Sequence, residues 1–488
     1  MADGTEIQKQ KWIVAAILIY FLGILSGNLA IKTLSIFVMS LVLWIFVSID
    51  WPSLITLLAL GLSFGFGKTF TGAFGNSTVA FLLFTFVLVY PLSKTNFIRR
   101  CTVAFTTNRI ATKGPWYFVA FLFAAVTFMG LFISPSVLFV AFMPFLEDIC
   151  NVLGIRKGGK VGNMLMMGTA MLISLSSGMT AIGHVWPTLA IGFYNSATGK
   201  DITQFQYMCF GIPIGITLAI ILFAVFRFIY IKKDEIFVPD NINCINIDNA
   251  QKLKGMIPKA DVKEKIILIV MGIVVALWVV PSLIKGVFPE VYKVINGYTT
   301  AMPPLLGCII LFFFTDNEGK RILDFKEVTQ KGILWGAILM TGTATWLGSC
   351  LTNEEVGISA WLTDKLSPIA SGMPVFGMVL FFMIWAILET NFSSNIVTTT
   401  VVSTVALSVL TALPEGSVSV GAVLAMIGFA AAICNMTPAG QSTINTVAIG
   451  SGWTDTKSMF VWGGVFAVAA ILVLTFIGYP WASAIIGG

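Results

Sequence analysis

The sequence predicts an all-α polytopic membrane protein built as an inverted repeat, and three observations predict it. Apolar residues make up 57% of the 488-residue chain and the mean hydropathy is +0.92; soluble domains use roughly 45–50% apolar residues. Apolar runs follow one another with short polar connections, and at ~20 residues per span such a chain holds roughly ten to fourteen membrane segments. No soluble catalytic domain fits beside them. Finally, one run in each half is interrupted by polar residues: Trp116 to Cys150 by Ile133-Ser134-Pro135-Ser136, and Phe381 to Leu410 by Glu389-Thr390-Asn391-Phe392-Ser393-Ser394-Asn395. Unpaired polar groups are costly in hydrocarbon, so such backbone belongs inside protein or beside a water-filled cavity. Paired interruptions in the two halves point to a binding site for something polar.

Residues 1–33 hold the first span, Trp12 to Ala30. It follows Lys9 and Lys11, lacks a small-residue cleavage site and reads as a retained helix with a cytoplasmic N-terminus. The first repeat, residues 34–231, opens with the spans Leu34 to Ile49, Pro52 to Gly65 and Val79 to Leu92. Phe66 to Thr78, glycine-rich and nearly uncharged, reads as an outer loop, whereas Lys94, Arg99, Arg100, Arg109 and Lys113 mark the cytoplasmic side. Phe97 to Lys113 alternates apolar and basic residues, as a helix lying in the cytoplasmic interface does. A hairpin over 115–152 follows. Its apolar run is too long for one straight span and too short for two, and Arg156, Lys157 and Lys160 return it to the cytoplasmic side. Its tip is Ser134-Pro135-Ser136. The broken helix 161–198 runs from Val161 to Ile173 into the polar stretch Ser174 to Pro187, which contains two glycines and a proline. Gln206 to Ile231 closes the repeat.

A lysine-rich cytoplasmic linker, residues 232–265, separates the halves. The second repeat, residues 266–488, begins with the spans Ile266 to Ile284, Pro303 to Thr315 and Ile333 to Leu351, with Lys320, Arg321, Lys326 and Lys331 on the cytoplasmic side. Amphipathic Glu355 to Leu366 is expected in the outer interface. Hairpin 371–411, centred on Ser394, enters from outside, and the broken helix 418–452 has Asn435 to Thr443 at its centre. Phe460 to Tyr479 exits. Interface helix, hairpin, broken helix and closing span thus recur in opposite orientation, which places a site near the bilayer midplane.

Other classes are excluded by what the chain lacks. Its seven cysteines show no Cys-x-x-Cys spacing, so neither a zinc site nor a redox pair is suggested. The net charge of +6 is the ordinary orientation signal and does not imply nucleic acid. Without a nucleophile elbow, a metal-spaced histidine pair or a cofactor motif, the chain does not read as an enzyme.

The stretches Gly72-Ala73-Phe74-Gly75-Asn76-Ser77-Thr78, Leu92-Ser93-Lys94-Thr95-Asn96, Glu389 to Thr398 and Thr437-Pro438 resemble the divalent anion:sodium symporter family, and the resemblance runs nearly the whole chain. It implies the inverted-repeat ion-transporter fold, with two re-entrant hairpins, two broken helices, a static scaffold domain and a moving transport domain. Family members carry Ser-Asn-Thr at both hairpin tips, where these residues bind sodium and substrate carboxylate. Here the second tip reads Ser394-Asn395-Ile396 and keeps two positions of three. The first reads Ser134-Pro135-Ser136, and the Thr/Ser-Pro-Pro-type run of the first broken helix is replaced by His184-Val185-Trp186-Pro187. These departures fall on the family's first sodium site, whereas Thr390, Ser394, Asn395, Thr437 and Pro438 match its second.

The resemblance further implies a secondary active transporter of small organic anions, di- or tricarboxylates, working by elevator-type alternating access. It would be a homodimer in the cell membrane among lipid, with Phe97 to Lys113 and Glu355 to Leu366 as the arms between domains. No Lys or Arg lies inside any expected span, so positive potential for an anion has to come from half-helix N-termini. Ser134 as N-cap with Pro135 as first helical residue makes a good helix start; Ser394 and Asn395 serve the other tip and add side-chain donors. Two half-charges do not offset a dianion beside Glu389, so a cation is expected with the substrate. Thr390, Ser394, Asn395 and carbonyls around Met436 and Thr437 offer oxygen ligands for Na⁺. Exchange for a counter-anion, proton coupling, an equilibrative pathway and a sulfate-like substrate are the alternatives. His184, the only histidine, is either structural or meets substrate or a proton, and Glu389 is either a buried, protonated packing residue or a functional one.

Overall fold

The computed structural model describes residues 2–182, 184–231, 252–255, 259–358, 374–411, 413, 414, 416–438, 440 and 442–486. The described residues form helices, with one isolated β-bridge between Thr315 and Arg321. Most of the linker expected at 232–265, the arm beyond residue 358 and the first residues of the second hairpin lie outside this set.

α1 (Ala2–Leu25) turns at Gly27 into α2 (Leu29–Phe46). Asn28 caps α2 by accepting the Ala30 and Ile31 N–H groups at 2.8 and 3.2 Å, the role its short amide suits. α3 (Pro52–Phe64) ends at Gly65, whose φ of +89° is open to glycine alone. The expected outer loop is instead a helix, α4 (Phe66–Phe74). Phe66, Phe70 and Phe74 recur at i, i+4 and stack at 6.2 and 6.4 Å between ring centroids on its exposed face, while Thr69 and Ala73 are buried. That spacing outweighs the glycines.

α5 (Ser77–Val89) leads through a 3₁₀ turn, Tyr90–Lys94, to the amphipathic α6 (Phe97–Thr106). The pair α7 (Pro115–Gly130) and α8 (Pro135–Val152) meets at residues 131–134. α9 (Lys160–Met179) and α10 (Val185–Thr198) follow, then α11 (Gln204–Val225), which ends in a π-turn. The second half contains α12 (Val262–Ile284), the short α13 (Pro289–Gly297), α14 (Met302–Phe313), α15 (Phe325–Lys331) and α16 (Trp335–Thr352). After these come the pair α17 (Val375–Phe392) and α18 (Asn395–Leu410), then α19 (Val420–Ala430) and α20 (Ser442–Gly450). α21 (Thr456–Val473) and α22 (Tyr479–Ile486) complete the chain.

Among the described residues, nine helical stretches are long and apolar enough to cross a membrane, or ten if α15 and α16, bent by 67°, count as one. The chain is a multi-pass membrane protein. α3 with 13 residues and α14 with 12, both expected as spans, reach only about 20 and 18 Å at ~1.5 Å per residue, short of a ~30 Å hydrocarbon core. α7 to α11 and α17 to α21 repeat one order of elements: pair, broken pair, closing helix. Their middles interlock, because α10 packs on α18 and α19, and α20 on α8 and α9; α2 to α5, α12, α14 and α16 pack beside them.

The breaks are narrower than the polar stretches that announce them. α9 stays helical through Ser174 to Met179, and the Ser176 and Ser177 hydroxyls find partners in the carbonyls of Ile173 (2.9 Å) and Ser174 (2.5 Å) of their own helix. Only residues 180–184 interrupt it, and Pro187 sits in the first turn of α10, where its missing N–H is harmless. Glu389 to Phe392 likewise belong to α17, and Ser393 and Ser394 alone separate it from α18.

Candidate functional site

Four helices begin around one cavity. α8 starts after Ser134, α10 after His184, α18 after Ser394, and α20 at Ser442. Ser134, Pro135, Ser136, His184, Val185, Trp186, Ser394, Asn395, Ile396, Gly440 and Thr443 line it, together with Ile49, Phe86 and Leu334 from the surrounding helices. Its volume of about 280 Å³ falls near the lower end of small-molecule sites, roughly 300–1,000 Å³. A small solute fits.

The first N–H groups of a helix lack intrahelical partners, and Ser134, His184 and Ser394 do not cap with their side chains the turns they precede. Each helix start also carries about half a positive charge. Four of them together favour an anion. No Asp, Glu, Lys or Arg is among the described lining residues, which leaves the backbone dipoles as the source of positive potential there.

Side chains hold both breaks in place, and each break is tied to the helix pair before it. In the first, Thr180 Oγ1 donates to the Leu131 carbonyl at 2.7 Å and His184 Nε2 to the Gly130 carbonyl at 3.0 Å, both at the end of α7. In the second the direction reverses. Asn391, in the last turn of α17, donates from Nδ2 to the carbonyls of Ile387 (2.7 Å) and Ile433 (2.6 Å) and accepts the Met436 N–H at Oδ1 (2.7 Å). Thr390 Oγ1 donates to the Ala431 carbonyl at 2.8 Å, and the Thr437 hydroxyl to the Asn391 carbonyl. Asn445 donates to the carbonyls of Cys434 (2.9 Å) and Thr437 (2.7 Å) and accepts from Asn435 Nδ2 at 2.8 Å. Asn435 Nδ2 also reaches Ser174 Oγ of the first half, at 3.2 Å. Carbonyls at the end of α7 and several backbone groups of the second break are thus paired inside protein, as the membrane interior demands.

Of the residues expected at the site, Ser134, Pro135, Ser136, His184, Ser394, Asn395 and Ile396 come together in the cavity wall. Thr390, Met436, Thr437 and Pro438 stand outside that lining. Thr390 is fully buried, and the bond from Thr437 to Asn391 commits its hydroxyl to α17. Gly440, further along the same break, and Thr443, in the first turn of α20, border the cavity where Thr437 and Pro438 were expected.

Uncharged oxygens gather at this second break. The Thr390 and Thr437 hydroxyls each donate to a carbonyl. A Cβ added to Gly440 would lie 2.5 Å from the Cys434 carbonyl oxygen and 2.8 Å from that of Thr390, so only glycine lets the backbone pass this close to them. Carbonyls of unwound helices and hydroxyl oxygens suit Na⁺, and this donor set fits it. Sequence reasoning missed the organising roles of Asn391, Asn435 and Asn445 and passed over Trp186. An asparagine inside an apolar run was the available signal, since its amide there has to find partners.

The family model described as the sodium:sulfate symporter transmembrane region matches residues 4–487. Curated relatives include the sodium-dependent dicarboxylate transporter SdcS of Staphylococcus saprophyticus, 24% identical over 465 residues covering 91% of this chain and 85% of that one. SdcS of Staphylococcus aureus is 23% identical over 422 residues, 83% of this chain and 76% of its own. The crystal structure of the Alcanivorax borkumensis YdaH transporter, described as revealing an unusual topology, shares the fold with a TM-score of 0.57 over 90% of each chain at 10% identity. The chain therefore belongs to the sodium:sulfate symporter transmembrane-region family, the divalent anion:sodium symporters, whose members are transporters and not enzymes.

Proposed function

We infer that the chain is a Na⁺-coupled secondary active transporter of small organic anions, di- or tricarboxylates. One observation supports this most: a cavity for a small solute bordered by four helix starts and by no charged side chain. Ser134 and Ser136 on one side and Ser394 and Asn395 on the other would hold the carboxylates, with Pro135 and Ile396 shaping the two helix starts. Thr390, Ser394, Asn395, Met436 and Thr437 would hold Na⁺, which travels as co-substrate. The sodium-dependent dicarboxylate transport named for the SdcS relatives agrees with this reading.

Transport follows alternating access of the elevator type, in which both helix pairs, as re-entrant hairpins, and both broken helices move as one body. Three bonds across the halves favour a single body: Trp453 Nε1 donates to Glu147 at 2.8 Å, Asn163 Nδ2 to Ser458 at 3.0 Å, and Asn435 Nδ2 to Ser174 at 3.2 Å. Arg100 of α6 pairs with buried Glu264 of α12, which anchors the amphipathic arm to the scaffold. The working unit is a homodimer in the cell membrane, its N-terminus on the basic, cytoplasmic side. Uptake of labelled carboxylates and sulfate into proteoliposomes, with external Na⁺ replaced by K⁺ or choline, tests the assignment. Carboxylate uptake that requires Na⁺ and accelerates when the vesicles are preloaded with carboxylate is expected. Sulfate uptake alone, or uptake indifferent to Na⁺, contradicts it.

A further inference from the structure

Away from the cavity between the two pairs, a second hollow opens toward the membrane. α9 packs against both α7 and α11, and between those two helices lies an apolar groove of about 370 Å³. Ala120, Ala124 and Phe128 of α7 form one wall and Ile216, Ile220 and Phe223 of α11 the other, each set spaced as one face of its helix. Buried Met179, at the end of α9, lies at its floor. Phe128, Ile216 and Ile220 are 41%, 47% and 62% exposed, so the groove faces outward. The Thr127 hydroxyl in its wall donates to the Phe123 carbonyl at 2.8 Å and asks for no other partner. Such a surface suits hydrocarbon.

The two ends of the groove differ. At one, Trp116 meets Phe223 edge-on with 5.7 Å between ring centroids, and Arg227, one turn beyond Phe223, lies 5.9 Å over the Trp116 ring. Lys113 stands just ahead of α7 at the same end. Both cations are exposed, and neither meets a carboxylate among the described residues. The other end, at Leu131, is the level at which α7 stops. From Ala120 to Leu131 the wall is ~16 Å long at ~1.5 Å per residue, about half of a ~30 Å hydrocarbon core. The groove therefore has the depth of one leaflet, with two unpaired cations and a tryptophan at the interface. We propose that it binds one anionic glycerophospholipid, an acyl chain lying between α7 and α11 and the phosphate held by Lys113 and Arg227. Guanidinium and ammonium groups suit a phosphate, basic pockets between membrane helices bind anionic headgroups, and Trp116 sits where the ring of an interfacial tryptophan belongs. Phe128 also stacks on Phe105 of α6 at 6.0 Å, so the chain rests on the side chain that ties the amphipathic helix to α7.

Native mass spectrometry of the purified full-length protein, titrated in detergent with dioleoyl phosphatidylglycerol or dioleoyl phosphatidylcholine, separates headgroup from chain. A basic residue near the surface is worth about fivefold in affinity for an anionic lipid, so the wild type should bind phosphatidylglycerol roughly 25-fold tighter. Arg227→Gln and Lys113→Gln should each reduce that preference to about fivefold, the double variant should abolish it, and Arg227→Lys should keep most of it. Ala124→Trp, which fills the groove from an exposed position, should weaken both lipids and leave their ratio unchanged. Equal binding of the two lipids by the wild type, a preference that survives in the double variant, or full binding by Ala124→Trp would overturn the proposal. So would a disulfide between two copies carrying Ile220→Cys, which would show that a second copy covers the groove. None of these outcomes touches the transport reading, because binding is measured without substrate or Na⁺.

Discussion

The two breaks solve the same problem with different chemistry. In the first, Thr180 and His184 of the broken helix reach back to two carbonyls at the end of α7. In the second, Asn391 at the end of α17 reaches forward to Ile433 and Met436 and back to Ile387 of its own helix, while Asn435 and Asn445 secure more of the unwound segment. An asparagine both donates and accepts, so it can replace the missing backbone ladder in both directions; a threonine or a fixed imidazole tautomer offers less. The gap from α19, ending at Ala430, to α20, starting at Ser442, is accordingly wider than that from α9, ending at Met179, to α10, starting at Val185. The halves share an architecture and differ in the side chains at their breaks: asparagines and threonines at the second, a threonine, an imidazole and an indole at the first.

The largest effect should come from removing the asparagine at the centre of this contrast. Asn391→Ala orphans a buried carbonyl and the Met436 N–H, a loss of roughly 2–5 kcal/mol. Thr180→Val, which removes the bond to the Leu131 carbonyl and a long one accepted from the Ile182 N–H at 3.4 Å, should cost about 1 kcal/mol. Thermal unfolding in detergent, followed by tryptophan fluorescence, ranks them, and the reverse order would break the comparison. Gly440→Ala comes next. Its Cβ would press on backbone oxygens that cannot rotate away, so Na⁺-driven uptake should fall by more than about tenfold, the scale of a lost ligand geometry; wild-type uptake would show that the close approach is dispensable.

Ser134→Ala and Ser394→Ala bear on the difference between the halves, since neither side chain caps its helix and both variants should fold. Titration of uptake against Na⁺ should show a raised half-saturation for Ser394→Ala, whereas Ser134→Ala should change the anion KM alone. Equal shifts in Na⁺ dependence would place a cation at both tips. The smallest effect is expected outside the membrane. Asp455 caps α21 by accepting the Ser458 N–H at 3.0 Å and its hydroxyl at 2.6 Å, and these bonds hold its carboxyl below the usual range. A lowered carboxyl pKa contributes stability that is present above the unfolded value, about 3.9, and fades as pH falls through the folded one. Asp455→Ala should therefore lower the melting temperature slightly at pH 7, by the ~1 kcal/mol of an N-cap, and the gap to wild type should close on acidification.

The polytopic helical class, the family and the two interruptions were legible because burying polar residues in an apolar run is costly enough to be informative. Ser134, His184 and Ser394 stood out in the sequence for that reason and share a cavity wall. The extent of the breaks was not legible. Ser176 and Ser177, which bond back to their own helix, look in the sequence like serines that bind something. The asparagine wiring was hidden for a different reason: Asn391 and Ile433 are 42 residues apart, and Asn435 and Ser174 are 261 apart. No local pattern encodes such pairings. α4 was read as a loop because its glycines were weighed above the four-residue spacing of its phenylalanines.

The central claim, that helix starts without charged side chains hold the transported anion, is tested most directly at Asn395. This residue opens α18, is 5% exposed and lines the cavity. Uptake of labelled dicarboxylate into proteoliposomes under an inward Na⁺ gradient should vanish in Asn395→Ala while its elution and melting match the wild type. Wild-type uptake by that folded variant would contradict the account.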